Sequence, residues 1–264
     1  DSSAVKLRLT HLELSSLSKE GYRFRSGTTA RVMVGVYCAL TTCLFLLLWA
    51  AGMSPFDAVN HAFSTVSTGG FSTRNMSIMH YDSVVIDIIL TVFMILSSMH
   101  FGTLFAIAVK RSFKPLGNSV TRYYLSIIAV ISIIIMLSLK LQGGYESWGK
   151  ALLDSTFQTA SYISTTGFGQ ADNALWPLLA NTLLIFAAFH CGCSGSTTGG
   201  IKADRAYISI KAIYGEFQKR LHPNSMFRTR INGRILDEET ISSVFLYIVL
   251  YLFTALVSFT LVLI

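Results

Sequence analysis

Charge is what this sequence has least of. Of its 264 residues only 13% are Asp, Glu, Lys or Arg, about half the roughly 25% of a soluble domain. With 52% hydrophobic residues and a mean hydropathy of +0.54, the composition excludes an ordinary water-soluble domain. Cysteine is scarce as well: Cys38, Cys43, Cys191 and Cys193 all fall in or beside apolar runs, where a thiol behaves as a small hydrophobe. They point neither to a disulfide framework nor to a redox compartment. His190, Cys191 and Cys193 lie close together, but no fourth metal ligand is nearby in the sequence. No initiator Met or signal peptide precedes Asp1, and the sequence stops inside an apolar run at Ile264, so a segment of a longer protein is expected.

Uncharged runs cover 32–56, 88–109, 123–139, 173–201 and 240–264. Each approaches or exceeds the ~20 residues of a spanning helix, so five spans are expected. The run at 123–139 is the shortest, and Arg122 and Lys140 at its ends can snorkel to the interfaces.

Two short polar stretches interrupt this pattern and resemble each other. Aligning Gly70 with Gly167 sets Ser67 on Ser164, Thr68 on Thr165 and Phe71 on Phe168. Each copy follows a short amphipathic run, about 55–65 and 148–162, and precedes a long apolar one. A segment that enters the bilayer and turns back without regular structure must line water or be buried in protein. The candidate ion filter therefore comprises Val66, Ser67, Thr68, Gly69, Gly70 and Phe71 with Ile163, Ser164, Thr165, Thr166, Gly167 and Phe168. In potassium channels a Thr-Val-Gly-Tyr-Gly run supplies carbonyls that replace the ion's water shell, and Thr165 to Gly169 matches its outline. K⁺ is expected at Thr68, Gly69, Gly70, Thr165, Thr166 and Gly167. Ser54 is a candidate helix cap before Pro55, and the C-terminal ends of the two short helices carry partial negative charge suited to a cation. Asp57, Asn60 and His61 are expected to pack and hydrogen-bond. Asp57, Asp82, Asp87, Glu146, Asp154 and Asp172 make this side acidic, which concentrates cations.

A third stretch, Gly192, Cys193, Ser194, Gly195, Ser196, Thr197, Thr198, Gly199 and Gly200, is too rich in small residues to hold a helix, so it should break the fourth span and act as a gating loop. Its spacing from Gly195 to Gly200 is that of a phosphate loop, but Ile201 stands where the lysine belongs and Lys202 comes one place late. The segments 1–31, 110–122 and 202–234 hold 18 of the 21 Lys and Arg residues. The positive-inside rule makes these cytoplasmic, so both filters open outward. The basic balance is thus topology, and nucleic acid is not expected as a partner.

These residues resemble the Trk/Ktr/HKT superfamily of cation transporters, specifically the TrkH-type membrane subunit. The resemblance rests on Phe56 to Phe63 leading into Ser67 to Ser72, on Thr165 to Phe168, and on Gly195 to Lys202. It implies an all-α integral membrane protein of repeated span–pore helix–span units with re-entrant filter loops, four such units surrounding one pore. Residues 1–30 would form a cytoplasmic or interfacial segment, 31–110 the second repeat, 122–220 the third, and 236–264 the first span of the fourth. The first repeat and last filter would lie outside the chain. The resemblance further implies K⁺ as the transported ion, a homodimer in membrane lipid, and a cytoplasmic nucleotide-binding ring beneath it. Gly169 departs from the family, which often has serine there. The expected function is potassium uptake across the plasma (inner) membrane without covalent chemistry; a Na⁺-permeable or cation-coupled symporter is the alternative. An enzyme is not expected, since no acid or base converges in sequence on His190, Cys191 or the serines.

Overall fold

The computed structural model describes residues 26–222 and 229–263, so most of the expected interfacial segment 1–30 lies outside the described residues. The chain runs α1 (Ser26–Ala50), α2 (Pro55–Val66), α3 (Val84–Ser97), α4 (Phe101–Lys110), α5 (Ser119–Leu141), α6 (Trp148–Ile163), α7 (Leu178–His190), α8 (Ala203–Leu221) and α9 (Glu238–Leu263). A two-residue antiparallel ladder, β1 (Arg230–Ile231) with β2 (Arg234–Ile235), precedes α9. The chain is otherwise helical, as expected, and this ladder is a local hairpin. Its turn is Asn232-Gly233, both at positive φ, the pairing that a two-residue hairpin favours.

Three helices among the described residues are long and apolar enough to cross a membrane: Ala30–Ala50, Ser119–Leu141 and Glu238–Leu263. On α5 the buried positions Tyr124, Ile128, Ile131, Ile135 and Leu139 recur at helical spacing, while Val130, Ile133, Ile134 and Leu137 face outward. A helix apolar on both faces suits lipid on one side and protein on the other. In lipid the packing itself, rather than expulsion of water, holds such faces together. One core joins Leu44 and Leu48 of α1 and Ala58 and Ala62 of α2 to Leu90 and Met94 of α3 and Phe157 of α6. A second joins α5 to Ile163, Leu184 and Cys193.

The expected continuous second span, 84–109, is instead two helices bent by 104° at Ser98-Met99-His100. The cause lies 95 residues downstream. Cys193 N–H donates to the Ser98 carbonyl at 2.8 Å, and Phe101 N–H donates to the Gly195 carbonyl at 3.1 Å. The loop after α7 thus takes up backbone groups that a straight helix would have paired internally. Tyr124, fully buried on α5, shares a short hydrogen bond with the Ser98 hydroxyl and fixes the break from the other side. The fourth span also differs from expectation: Asn173–Leu175 is a single tight turn, and α7 begins only after Pro177. At 13 residues α7 rises about 20 Å, short of the ~30 Å hydrocarbon core. The loop 191–202 therefore follows a helix too short to cross that core by itself.

The interlock leaves no room at Gly192, where a Cβ would stand 2.6 Å from the Ser98 carbonyl oxygen and 2.9 Å from Thr198 Cγ2. Gly192→Ala is expected to destabilise the protein by about 1–3 kcal/mol, read as a lowered Tm in detergent. A Tm equal to that of the unsubstituted protein would show that the helix break does not depend on this close approach.

Candidate functional site

Ser54 begins the site. Its hydroxyl accepts from the Asp57 amide at 3.1 Å, with Pro55 in the first turn, and α2 then descends 12 residues to Val66. Beyond α2 and α6 the backbone takes the same course in both copies. Ser67 and Ser164 cap their helices with nearly equal angles (φ −77, ψ −7 and φ −78, ψ −5). Ser67 N–H donates to Phe63, Thr68 to Thr65 and Gly69 to Ser64; Ser164 donates to Ala160, Thr165 to Tyr162 and Thr166 to Ser161. Thr68 (φ 56) and Thr165 (φ 58) are left-handed, as are Gly70 (φ 71) and Gly167 (φ 84), with negative φ between them. A β-branched residue at positive φ is strained by about 1–3 kcal/mol. The two copies carry that strain at the same position.

Alternating φ signs leave the loop amides bonded back to their helices and the loop carbonyls turned away. Among the described residues, the carbonyls of Thr68, Gly69, Gly70, Thr165, Thr166 and Gly167 accept no hydrogen bond. Of the flanking carbonyls, Val66 accepts from Thr197, Ser67 from Thr68 Oγ1, Phe168 from Ser161, and Gly169 from Ile78 and Met79, whereas those of Phe71 and Ser164 accept none among the described residues. Buried carbonyls without a partner are uncommon; of these six, Thr68 and Thr166 belong to buried residues, Gly70 and Thr165 to half-buried ones, and Gly69 and Gly167 to exposed ones.

The loops touch. A Cβ on Gly70 would lie 1.8 Å from the Thr166 carbonyl oxygen, whereas one on Gly167 meets nothing within 4 Å. Phe168 is fully buried, 5.7 Å from the His61 ring, while Phe71 is 83% exposed, so the two sequence-aligned phenylalanines have different surroundings. His61 is held by Asp57 and Ser72. Because the Asp57 carbonyl can only accept, Nδ1 carries the proton and donates at 2.7 Å, leaving Nε2 to accept from the Ser72 hydroxyl at 2.9 Å.

The resemblance between the copies extends beyond the residues that revealed it. Asp57 lies 97 residues before Asp154, the same offset as Gly70 and Gly167. Thr73 donates to Asp57 Oδ1 at 2.6 Å, and Gln170, again 97 residues on, donates to Asp154 Oδ1 at 2.9 Å. Each short helix therefore grips the outer arm of its own loop through a buried carboxylate. Arg74 completes the first grip, its guanidinium 2.7 Å from Asp57 Oδ2. Tyr145 completes the second, donating to Asp154 Oδ2 at 2.8 Å; burial, and then the carboxylate beside it, push its phenol pKa up, so it keeps that proton. Asp57, Asp87 and Asp154 are consequently buried and bonded groups. The acids lining the outer cavity of about 850 Å³ are Asp82, Glu146 and Asp172 with the inner edges of Asp87 and Asp154.

The Gly192–Gly200 loop lies against both Thr-Gly loops. Thr197 Oγ1 donates to the carbonyls of Val66 (2.9 Å) and Ser97 (3.3 Å), and Thr68 Oγ1 donates to the Thr197 carbonyl at 3.1 Å. Gly199 N–H donates to Thr165 Oγ1 at 3.2 Å. Asp204 anchors the loop through the Ser194 amide (3.0 Å) and hydroxyl (2.7 Å), and Lys202 Nζ bonds the Thr198 carbonyl. His190 and Cys191, singled out in sequence as conceivable ligands, serve the turn instead. His190 bonds the Cys191 carbonyl and the Tyr123 hydroxyl, and Gly200 presses on the Cys191 sulfur.

The contrast between the two glycines yields a stability prediction. Alanine at either position meets a left-handed backbone and costs about 1–2 kcal/mol, but only at Gly70 does it also strike the neighbouring loop. Gly70→Ala is expected to lower Tm well below that of Gly167→Ala, and equal losses would show that the loops do not press on each other there.

Comparison with known proteins shows the family and the fold. The family described as TrkH, cation transport protein, matches residues 7–264. The Trk system potassium uptake protein TrkH of Salmonella typhimurium is 33% identical over 237 residues, covering 89% of this chain and 49% of that protein. TrkG of Escherichia coli K12 is 32% identical over 233 residues, covering 87% and 48%. The crystal structure of the potassium transporter TrkH from Vibrio parahaemolyticus superposes with a TM-score of 0.80 at 32% identity, covering 86% of this chain and 49% of that one. The chain spans about half the length of the curated relatives it matches. Those relatives are transport proteins, not enzymes. On the family match over nearly its whole length, the chain belongs to the TrkH family of cation transport proteins.

Proposed function

We propose that the two Thr-Gly loops form part of a carbonyl-lined potassium filter, that α2 and α6 are its pore helices, and that Gly192–Gly200 is the intramembrane gate beneath it. The observation that carries the reading is the set of six carbonyls left unpaired at the tips of two backbone segments of like geometry. A cation stripped of water needs oxygen ligands, and carbonyls without other partners can supply them. The C-terminal ends of α2 and α6 add partial negative charge at the same place. The relatives' potassium uptake supports K⁺ as cargo. Uptake would run from outside to cytoplasm across the inner membrane, since the basic segments 110–122 and 202–234 flank the opposite face. Likeness to Trk systems also supports pairing as a homodimer in lipid over a cytoplasmic nucleotide-binding ring.

The filter reading is tested with the protein expressed from its complete reading frame and reconstituted in liposomes. Gly167→Ala adds no clash, so it should fold and lower K⁺ over Na⁺ preference roughly tenfold, the effect of about 1.4 kcal/mol lost at the cage. Unchanged ion preference with intact fold would remove the filter assignment.

The gate reading predicts a different signature. Thr197→Val removes the hydroxyl that ties the loop to Val66 and Ser97, so K⁺ flux should rise a few-fold while the K⁺/Na⁺ ratio stays fixed. Flux at or below that of the unsubstituted protein would show that this tether does not hold a gate shut.

A further inference from the structure

Two buried carboxylates meet behind the second loop, neither with an ion-pair partner among the described residues. Asp87, in the first turn of α3, is 4% exposed and Asp154, on α6, is 2% exposed. The Gln170 side chain bridges them, its Nε2 donating to Asp87 Oδ2 at 3.0 Å and to Asp154 Oδ1 at 2.9 Å. Ionised carboxylates only accept, so the amide must turn its two hydrogens toward them, and the partners fix its orientation. Its Oε1 is buried and has no partner among the described residues. Both donors of one amide are therefore committed to the acids, and the acceptor is left over.

The first loop solves the same problem with an ion pair. There Arg74 reaches Asp57, and 97 residues after Arg74 the chain has Ala171. Lys150 lines the same cavity as the second pair but makes no ion pair with either acid among the described residues. The outer arm of the second loop is held at several points: Ser161 donates to the Phe168 carbonyl at 2.8 Å, Gln158 to the Ala171 carbonyl at 3.2 Å, and two further holds lie between them. In one the Gly169 carbonyl accepts from Ile78 and Met79, and its amide donates to Ser77 Oγ at 3.2 Å. The other is the next residue, Gln170.

We propose that Gln170 is a specificity-determining positioning residue: by binding Asp87 and Asp154 with one amide it fixes the arm after Gly167 and hence the spacing of the Thr165, Thr166 and Gly167 carbonyls. The proposal rests on reading the loops as a filter. Selectivity by carbonyl ligands depends on how those oxygens are held around the ion. Without the amide, two buried acids lose their shared donor and separate, and the arm relaxes with them.

Gln170→Met keeps the length of the side chain and removes both donors. In proteoliposomes it should lower the K⁺/Na⁺ permeability ratio roughly tenfold, with fold checked by size exclusion and circular dichroism. Transplanting the first loop's arrangement, Gln170→Thr with Ala171→Arg, should return the ratio to within about threefold of the original. A merely structural role would not restore ion preference through a different donor set. A well-folded Gln170→Met protein with unchanged selectivity overturns the proposal while Gly167→Ala still alters it; if Gly167→Ala is silent too, the filter reading itself has failed. Should Gln170→Met not insert, the double variant decides: folding with K⁺ preference supports the proposal, and folding without it overturns it.

Discussion

A backbone amide or carbonyl at membrane depth has no water to turn to, and the arrangement of this chain depends on where each one finds a partner. The exchange between Ser98 and Cys193, and between Phe101 and Gly195, is the central instance. Two broken helices lend each other the hydrogen bonds that each has lost. The break after α7 would be costly in lipid by itself, as would the bend between α3 and α4. Joined, they give the Gly192–Gly200 loop a fixed seat from which Thr197 and Gly199 reach the two Thr-Gly loops.

The Thr-Gly loops turn the same constraint around. Their amides are bonded back to the ends of α2 and α6, and their carbonyls are the groups left free. Holding threonine at positive φ stores strain in each loop, and strain of that kind persists only where the surroundings over-determine the backbone. Here the surroundings are the paired grips of Asp57 on Thr73 and of Asp154 on Gln170, one turn of the chain away from the carbonyls they steady. Each of these grips is made by a side chain on the loop's outer arm to a carboxylate on its own short helix.

Much of this could be read from residues alone. Ser54-Pro55 announced the start of α2, the Gly70–Gly167 alignment located both loops, and a run of nine small residues marked the break after α7. The bend at Ser98-Met99-His100 could not be read, because no glycine or proline marks it and its cause is a partner distant in sequence. The aspartates were visible, and the bonded role expected of Asp57 is what its partners show, but the partners of Asp87 and Asp154 were not. Asp87 and Asp154 line the outer cavity, and only the structure shows that they are also buried and share the Gln170 amide. Two signals were present and unused: the 97-residue offset, had it been extended from the glycines to Asp57 and Asp154, and Asn232-Gly233, a hairpin turn in plain view.

The contact of Gly70 with the Thr166 carbonyl makes the two copies one mechanical part. With no side chain between them there is no compressible layer to absorb a shift, so a displacement of either strand by a few tenths of an ångström is handed to the other at full size. Such a contact couples the positions of the two loops wherever the close approach is kept.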